Sequence, residues 1–157
     1  MSQRIRKAQK ADLVRIAEIY AACFPREESH FEWIDAIYHS YPKGVYYVLE
    51  VNNEVIGYIL WCFKNGFRKK SIIELEQVGV HPDFSGKGFG RVLIKDSFDE
   101  FKALVKEQGF VVGALLVTTS EGNYAESLYK SILGVETACK IQGYGSGNEL
   151  ILYKSFT

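Results

Sequence analysis

Apolar residues recur along this chain with more than one period. Leu13, Ile16, Tyr20 and Cys23 stand at helical spacing after Asp12, a residue suited to capping a helix, and Phe24-Pro25 stops the run. Ser29 then opens "HFEWIDAIYHSY". Glu32, three residues on, predicts a capping box, and Pro42 and Gly44 end the helix. Ile94, Phe98, Phe101 and Val105 mark a third helix face, with Gly109 where a C-terminal glycine belongs. "YAESLYKSIL" is the fourth helix. Between these lie strand-like runs: "IRKAQ", "VYYVLEV", "EVIGYILWCF", "IIELEQVGV", "FVVGALLV", "VETACKI" and "ELILYKS". Asn52-Asn53 suits a hairpin turn, Pro82 ends the fourth strand, and the continuous apolar run of the fifth predicts a strand buried on both faces. "QGYGSG" is expected to be a flexible loop.

The order is β-α-α-β-β-β-α-β-α-β-β. It predicts one α/β domain over residues 1–157, with a mixed sheet of about six or seven strands and about four helices. Composition is ordinary for a globular chain, at 47% hydrophobic and 24% charged. Nineteen basic residues balance nineteen acidic ones, so there is no electrostatic footprint for nucleic acid or an anionic membrane. The N-terminus lacks the apolar stretch of a signal peptide, and no apolar run is long enough to span a bilayer. Cys23, Cys62 and Cys139 are far apart and form no metal-ligand spacing. Each is expected to be a small core residue in a reduced, cytoplasmic protein. The three histidines form no metal pattern either. "FRKK" is read as a solvated turn. The crowd of aromatics between Tyr20 and Tyr47 is expected to serve core packing.

"VHPDFSGKGFGRVLI" breaks this ordinary picture. Gly86, Gly88 and Gly90 stand with Lys87 and Arg91 at the start of a helix, where glycine costs stability. A helix N-terminus offers free backbone N–H groups and partial positive charge. Removing side chains lets phosphate oxygens approach, so the loop predicts a pyrophosphate site. It is not a Walker loop: Lys87 is followed by glycine, and His81 stands where that pattern needs glycine. Nor is it a dinucleotide fingerprint, because Arg91 occupies the place of the third glycine.

The stretch resembles the acyl-CoA-binding motif of the GNAT superfamily of N-acetyltransferases. That motif is a strand ending in Val-x-Pro followed by a glycine loop opening a helix. Gly88 and Gly90 match its two glycines, and Ser85 stands where the family usually has Gln or Arg. "VTTSEGNYAESLYKSILG" is similar to the family's second motif, a strand leading into a helix with Asn, Ala and Tyr; Asn123 lies six residues before Tyr129, one fewer than usual. The resemblance implies acetyl-CoA as acyl donor, an amine acceptor, direct attack and no metal. It implies cofactor contacts from Val78, Gly79, Val80, Ser85, Gly86, Lys87, Gly88, Phe89, Gly90, Arg91 and Asn123. The acceptor is expected between the first two helices and "QGYGSG".

Acetyl transfer to an amine needs three things. The amine must lose a proton from a pKa of about 10.4, the carbonyl oxygen needs donors, and the departing thiolate benefits from a proton. Glu74 and Glu76, at i and i+2 of one strand, point to the same sheet face and stand where family members carry a base. Tyr129 matches the family's helix tyrosine and would be the acid. The N–H groups of Val78 to Val80 would polarise the carbonyl, with Gly79 read as the place of a bulge. A sensing module that binds acyl-CoA without transfer remains the alternative. Exposed aromatics or a free strand edge could support a homodimer.

Overall fold

Asn52 and Asn53 both adopt left-handed backbone, φ 51° and 67°. That is the geometry of a two-residue hairpin turn, which asparagine tolerates better than most residues. The turn joins the second and third strands of the computed structural model, which describes Ser2–Phe156. In chain order the elements are β1 (Gln3–Lys7), α1 (Leu13–Cys23), α2 (His30–Tyr38), β2 (Gly44–Val51), β3 (Glu54–Lys64), β4 (Lys70–Val80), α3 (Phe89–Glu107), β5 (Val111–Ser120), α4 (Ala125–Leu133), β6 (Glu136–Tyr144) and β7 (Gly147–Ser155). The strands form a seven-stranded sheet in the order β1-β2-β3-β4-β5-β7-β6. β4 and β5 are parallel, while β1–β2, β5–β7 and β6–β7 are antiparallel. This is the mixed α/β architecture that the apolar pattern predicts.

The chain forms two compact units: Met1–Trp61 with Gln77–Phe101, and Cys62–Glu76 with Lys102–Thr157. In the first, the buried face of α3 carries a polar residue, Ser97, among Leu93, Ile94 and Phe101. Trp61 explains it. Its indole N–H donates to Ser97 Oγ at 2.9 Å, while its ring stacks on Phe98 and Phe101 at 5.3 and 5.8 Å. Aromatics also pack around Tyr20, whose ring lies 4.6 Å from His30, 5.4 Å from Trp33 and 5.7 Å from Phe24.

Several local expectations are corrected in this unit. β1 begins two residues earlier than the apolar pattern suggests. Asp12 does not cap α1 with its side chain. Its carboxylate instead receives two bonds from the Arg6 guanidinium, at 2.7 and 3.0 Å, and one from the Gln9 N–H at 2.7 Å. Burial works to raise the Asp12 pKa, and these bonds together bring it below the usual carboxylate range. Arg6 Nε also donates to Glu50 at 2.6 Å, and that bond chiefly lowers Glu50. Ser29 sits in left-handed backbone, φ 51°, with no side-chain cap, so the expected capping box is absent and only its carbonyl serves the helix. α2 ends at Tyr38 rather than running to Tyr41.

In the second unit, β5 pairs with β4 on one side and β7 on the other. The register with β4 slips at Ser71/Ile72, and Gly113 is the extra residue. A Cβ there would stand 2.9 Å from Lys70 Cβ, so the slip needs a glycine. Phe67 and Phe110 stack in parallel at 5.9 Å, with Phe63 packed edge-on against each. β6 is exposed along its whole length, which corrects the placing of Cys139 in a core: it is exposed. "QGYGSG" is not a loose loop. β6 runs through Gly143 and Tyr144, Tyr144 pairs with Gly147, and only Gly145 and Ser146 make the turn.

Candidate active site

The first unit holds the end of β4 and the glycine loop. Gly79 is buried, and a Cβ on it would stand 2.9 Å from the Tyr58 ring and 3.3 Å from Cys23 Sγ. Close packing of Tyr58 is therefore what requires glycine at this place. The Cys23 thiol donates to the Val80 carbonyl at 3.3 Å, and the Tyr58 hydroxyl donates to Gln77 Oε1 at 2.7 Å. Burial raises the Cys23 and Tyr58 pKa values, so both keep their protons and act as donors at neutral pH. Val78, Gly79 and Val80 thus form a stretch of strand held from beneath by α1 and β3. No motif marks Tyr58 or Cys23, because their part follows from packing against Gly79.

After Val80 the chain turns through a short 3-10 helix, Pro82–Phe84. His81 N–H donates to the Ile56 carbonyl at 2.8 Å, and His81 Nδ1 accepts from Asp83 N–H at 3.1 Å. Ser85 donates both its hydroxyl and its N–H to the Pro82 carbonyl, at 2.9 and 3.2 Å. It shapes the loop rather than presenting donors.

Gly86 and Gly88 follow, with φ of +74° and +82° and nothing within 4 Å of where a Cβ would be. Other residues rarely adopt such backbone. Among the described residues, no protein group accepts the N–H of Gly86, Lys87 or Gly88. Alternation of left-handed residues with their neighbours turns successive N–H groups toward one side, which is how an anion nest forms. Phe89 is buried and anchors α3, a 19-residue helix whose first-turn N–H groups add to the set. Gly90 and Arg91 complete that turn, Arg91 on its exposed side. Lys87 Nζ lies 5.9 Å from the Phe84 ring centroid. Beside the loop is a cleft of about 390 Å³ lined by Phe84, Lys87, Gly88, Phe89, Val92 and Asn52 among others. The donor set, the open space and the helix terminus fit a pyrophosphate.

The second unit holds the remaining candidates. Glu74 is buried and paired with Lys64 Nζ at 3.4 Å, whereas Glu76, two residues along, is exposed. The two carboxylates thus differ in surroundings despite their expected common face. Lys64 carries no local signal, since its meeting with Glu74 depends on the hairpin register. The β4–β5 register ends at Leu75–Val117, although β5 continues to Ser120 on its β7 side. Tyr129 lies on the buried face of α4, and burial pushes its pKa up to about 12. Its hydroxyl stays protonated at neutral pH and, among the described residues, has no hydrogen-bond partner. Asn123 already serves the fold, since its Oδ1 accepts from Ala125 N–H at 2.9 Å and starts α4. Among the described residues no three His, Cys, Asp or Glu side chains cluster as a metal site, and no helix is long and apolar enough to cross a membrane.

Residues 13–135 match the family model described as acetyltransferase (GNAT) family. No curated protein sequence matches the chain. Solved structures share its fold. One is yncA from Salmonella typhimurium, solved with its cofactor acetyl-CoA: 24% identity, TM-score 0.77, covering 100% of this chain and 95% of that one. Another is the ribosomal-protein-S18-alanine N-acetyltransferase from Escherichia coli: 18% identity, TM-score 0.75, covering 99% and 95%. A third, from the NatC complex bound to Gag peptide and CoA, has 15% identity and TM-score 0.79, covering 100% of each chain. With the family model spanning most of its length, this chain belongs to the GNAT family of acetyltransferases.

Proposed function

We propose that the protein is an acetyl-CoA-dependent N-acetyltransferase acting on a primary amine of a small molecule or a polypeptide. The observation that carries this reading is the pair of left-handed glycines, Gly86 and Gly88, with open space above them and unclaimed N–H groups at the start of α3. These groups, with Lys87 and Arg91, would hold the pyrophosphate of acetyl-CoA. Gly90 would let the ligand approach the first helical turn, Phe89 would offer its N–H, and Asn123 would contribute its amide.

In the chemistry, Glu74 or Glu76 takes a proton from the acceptor, whose nitrogen forms the new bond to the acetyl carbon. The carbon–sulfur bond breaks, and N–H groups of Val78 to Val80 stabilise the carbonyl oxygen as it gains charge. Tyr129 gives the departing sulfur a hydrogen bond or its proton. A pKa near 12 makes it a dependable donor and a weaker acid than an ordinary tyrosine. Of the two carboxylates, Glu74 is the buried one and lies 3.4 Å from Lys64 Nζ.

Thermal unfolding with acetyl-CoA, ATP and NAD, followed by thiol release over a panel of amines, tests the reading. Acetyl-CoA alone should stabilise, by about 2.7 kcal/mol at a hundredfold excess over Kd. Stabilisation without thiol release from any amine would favour a binding module over an enzyme. No stabilisation at millimolar acetyl-CoA would refute both.

A further inference from the structure

A second concavity lies in the first unit and shares no lining residue with the cleft beside the glycine loop. Its volume is about 440 Å³, within the range of small-molecule sites. Lys7 at the end of β1, Tyr38, His39 and Tyr41 at and after the end of α2, and Gly44 and Tyr46 at the start of β2 line it. Gly44 packs closely against the end of α2 and the turn after it, since a Cβ there would stand 3.0 Å from Ser40 Oγ and 3.1 Å from Ile37 Cγ2.

The chemistry of the wall is one-sided. Among the described residues its lining includes three tyrosines, one lysine and no aspartate or glutamate. Asp35, one helical turn before His39, is occupied with it: His39 Nδ1 lies 2.8 Å from the Asp35 carbonyl and 3.4 Å from its Oδ1. Lys7 has no ion-pair partner among the described residues. Its Nζ donates to Tyr41 Oη at 3.3 Å and lies 5.3 Å from the centroid of that ring. Because the Tyr41 oxygen is the acceptor there, its own hydrogen is left to donate. An ammonium and a phenol thus present donors from adjacent points, the arrangement that suits one carboxylate. Tyrosine walls alone could cage a cation, but Lys7 in the same wall repels one.

We propose that this pocket binds a small aromatic carboxylate, its anion on Lys7 Nζ and the Tyr41 hydroxyl and its ring among Tyr38, Tyr41 and Tyr46. The proposal rests on the pocket alone and stands apart from acetyl transfer.

Calorimetric titration with phenylacetate tests it, beside phenylacetamide, benzylamine and acetate as the neutral, cationic and ringless counterparts. Phenylacetate should bind saturably, and each counterpart about tenfold or more weakly, as loss of a charged hydrogen bond or of the ring requires. Lys7→Met should lose about tenfold in phenylacetate affinity and Tyr41→Phe several-fold, because each removes a donor. Lys7 is exposed, so its replacement leaves the fold and the acetyl-CoA titration unchanged. Equal binding of phenylacetamide or benzylamine, equal binding of acetate, full affinity in Lys7→Met, or no saturable binding at millimolar phenylacetate would each overturn the proposal.

Discussion

β4 and β5 each end in a turn that opens a helix, and the two turns use their polar groups differently. After β5, the N–H groups on either side of Gly122, those of Glu121 and Asn123, are tied internally. Asn123 caps α4, Glu121 N–H donates to the Asn148 carbonyl at 2.9 Å, and the Glu121 carboxylate takes Lys140 at 2.6 Å and Asn148 Nδ2 at 3.2 Å. The Lys140 bond is the main reason the Glu121 pKa lies below the usual range. After β4, the loop is pinned only at its entrance, by His81 and Ser85, and then leaves consecutive N–H groups open at Gly86, Lys87 and Gly88. Both turns contain an exposed left-handed glycine, Gly88 at φ +82° and Gly122 at φ +82°. The residue type alone therefore does not separate the two turns. What separates them is whether the protein itself satisfies the donors next to the glycine, and on that difference rests the proposal that the first turn holds a ligand.

That contrast sets the largest expected effect. Gly88→Val and Gly122→Val should each lose stability of about 1–2 kcal/mol or more from left-handed strain. Only Gly88→Val should also lose acetyl-CoA affinity, by about a hundredfold, the scale of several charge-assisted hydrogen bonds. Equal affinity in the two variants would erase the distinction. Next comes the chemistry. Glu74→Gln, Glu76→Gln and Tyr129→Phe should leave acetyl-CoA binding within a few-fold while turnover falls, by about a hundredfold for the residue that is the base. Wild-type turnover in all three would break the site assignment.

Tyr129 also predicts a pH effect. Its pKa rises from about 10 unfolded to about 12 folded. The unfolded state therefore loses its proton first. The associated stability, roughly 3 kcal/mol, is present below pH about 10 and is lost as pH climbs toward about 12. Tyr129→Phe should flatten that alkaline decline in denaturant midpoints, and an unchanged slope would contradict the buried-phenol account. Smaller still, Asn123→Asp keeps the oxygen that caps α4 and should unfold like wild type, while Asn123→Ala costs about 1 kcal/mol. If acetyl-CoA affinity drops in both, the amide contacts the ligand; if it drops in neither, Asn123 is a cap alone.

The same contrast explains what could be read from the sequence. Signals that act within a few residues are legible: the Asn52-Asn53 turn, the element order, Gly109 after α3 and the glycine-rich turn that opens α3. Features that depend on partners far along the chain are not. Asp12 reads as a helix cap until Arg6 claims its carboxylate. Ser97 reads as a polar break in an apolar face until Trp61 donates to it. Glu74 and Glu76 read as equivalent until Lys64 meets only the first. "QGYGSG" reads as loose because glycines suggest freedom, yet cross-strand pairing extends β6 through most of it. The candidate site divides in the same way. Its glycine-rich turn is local and legible, while the support beneath Gly79 is tertiary and is not.

The most direct measurement is a calorimetric titration of acetyl-CoA into the wild type, Gly88→Val and Gly122→Val under one condition. Saturable binding to the wild type and Gly122→Val, with the loss confined to Gly88→Val, is the predicted result. Binding that survives unchanged in Gly88→Val, or that is missing from the wild type, would contradict the claim that the open N–H groups of this loop hold the acyl donor.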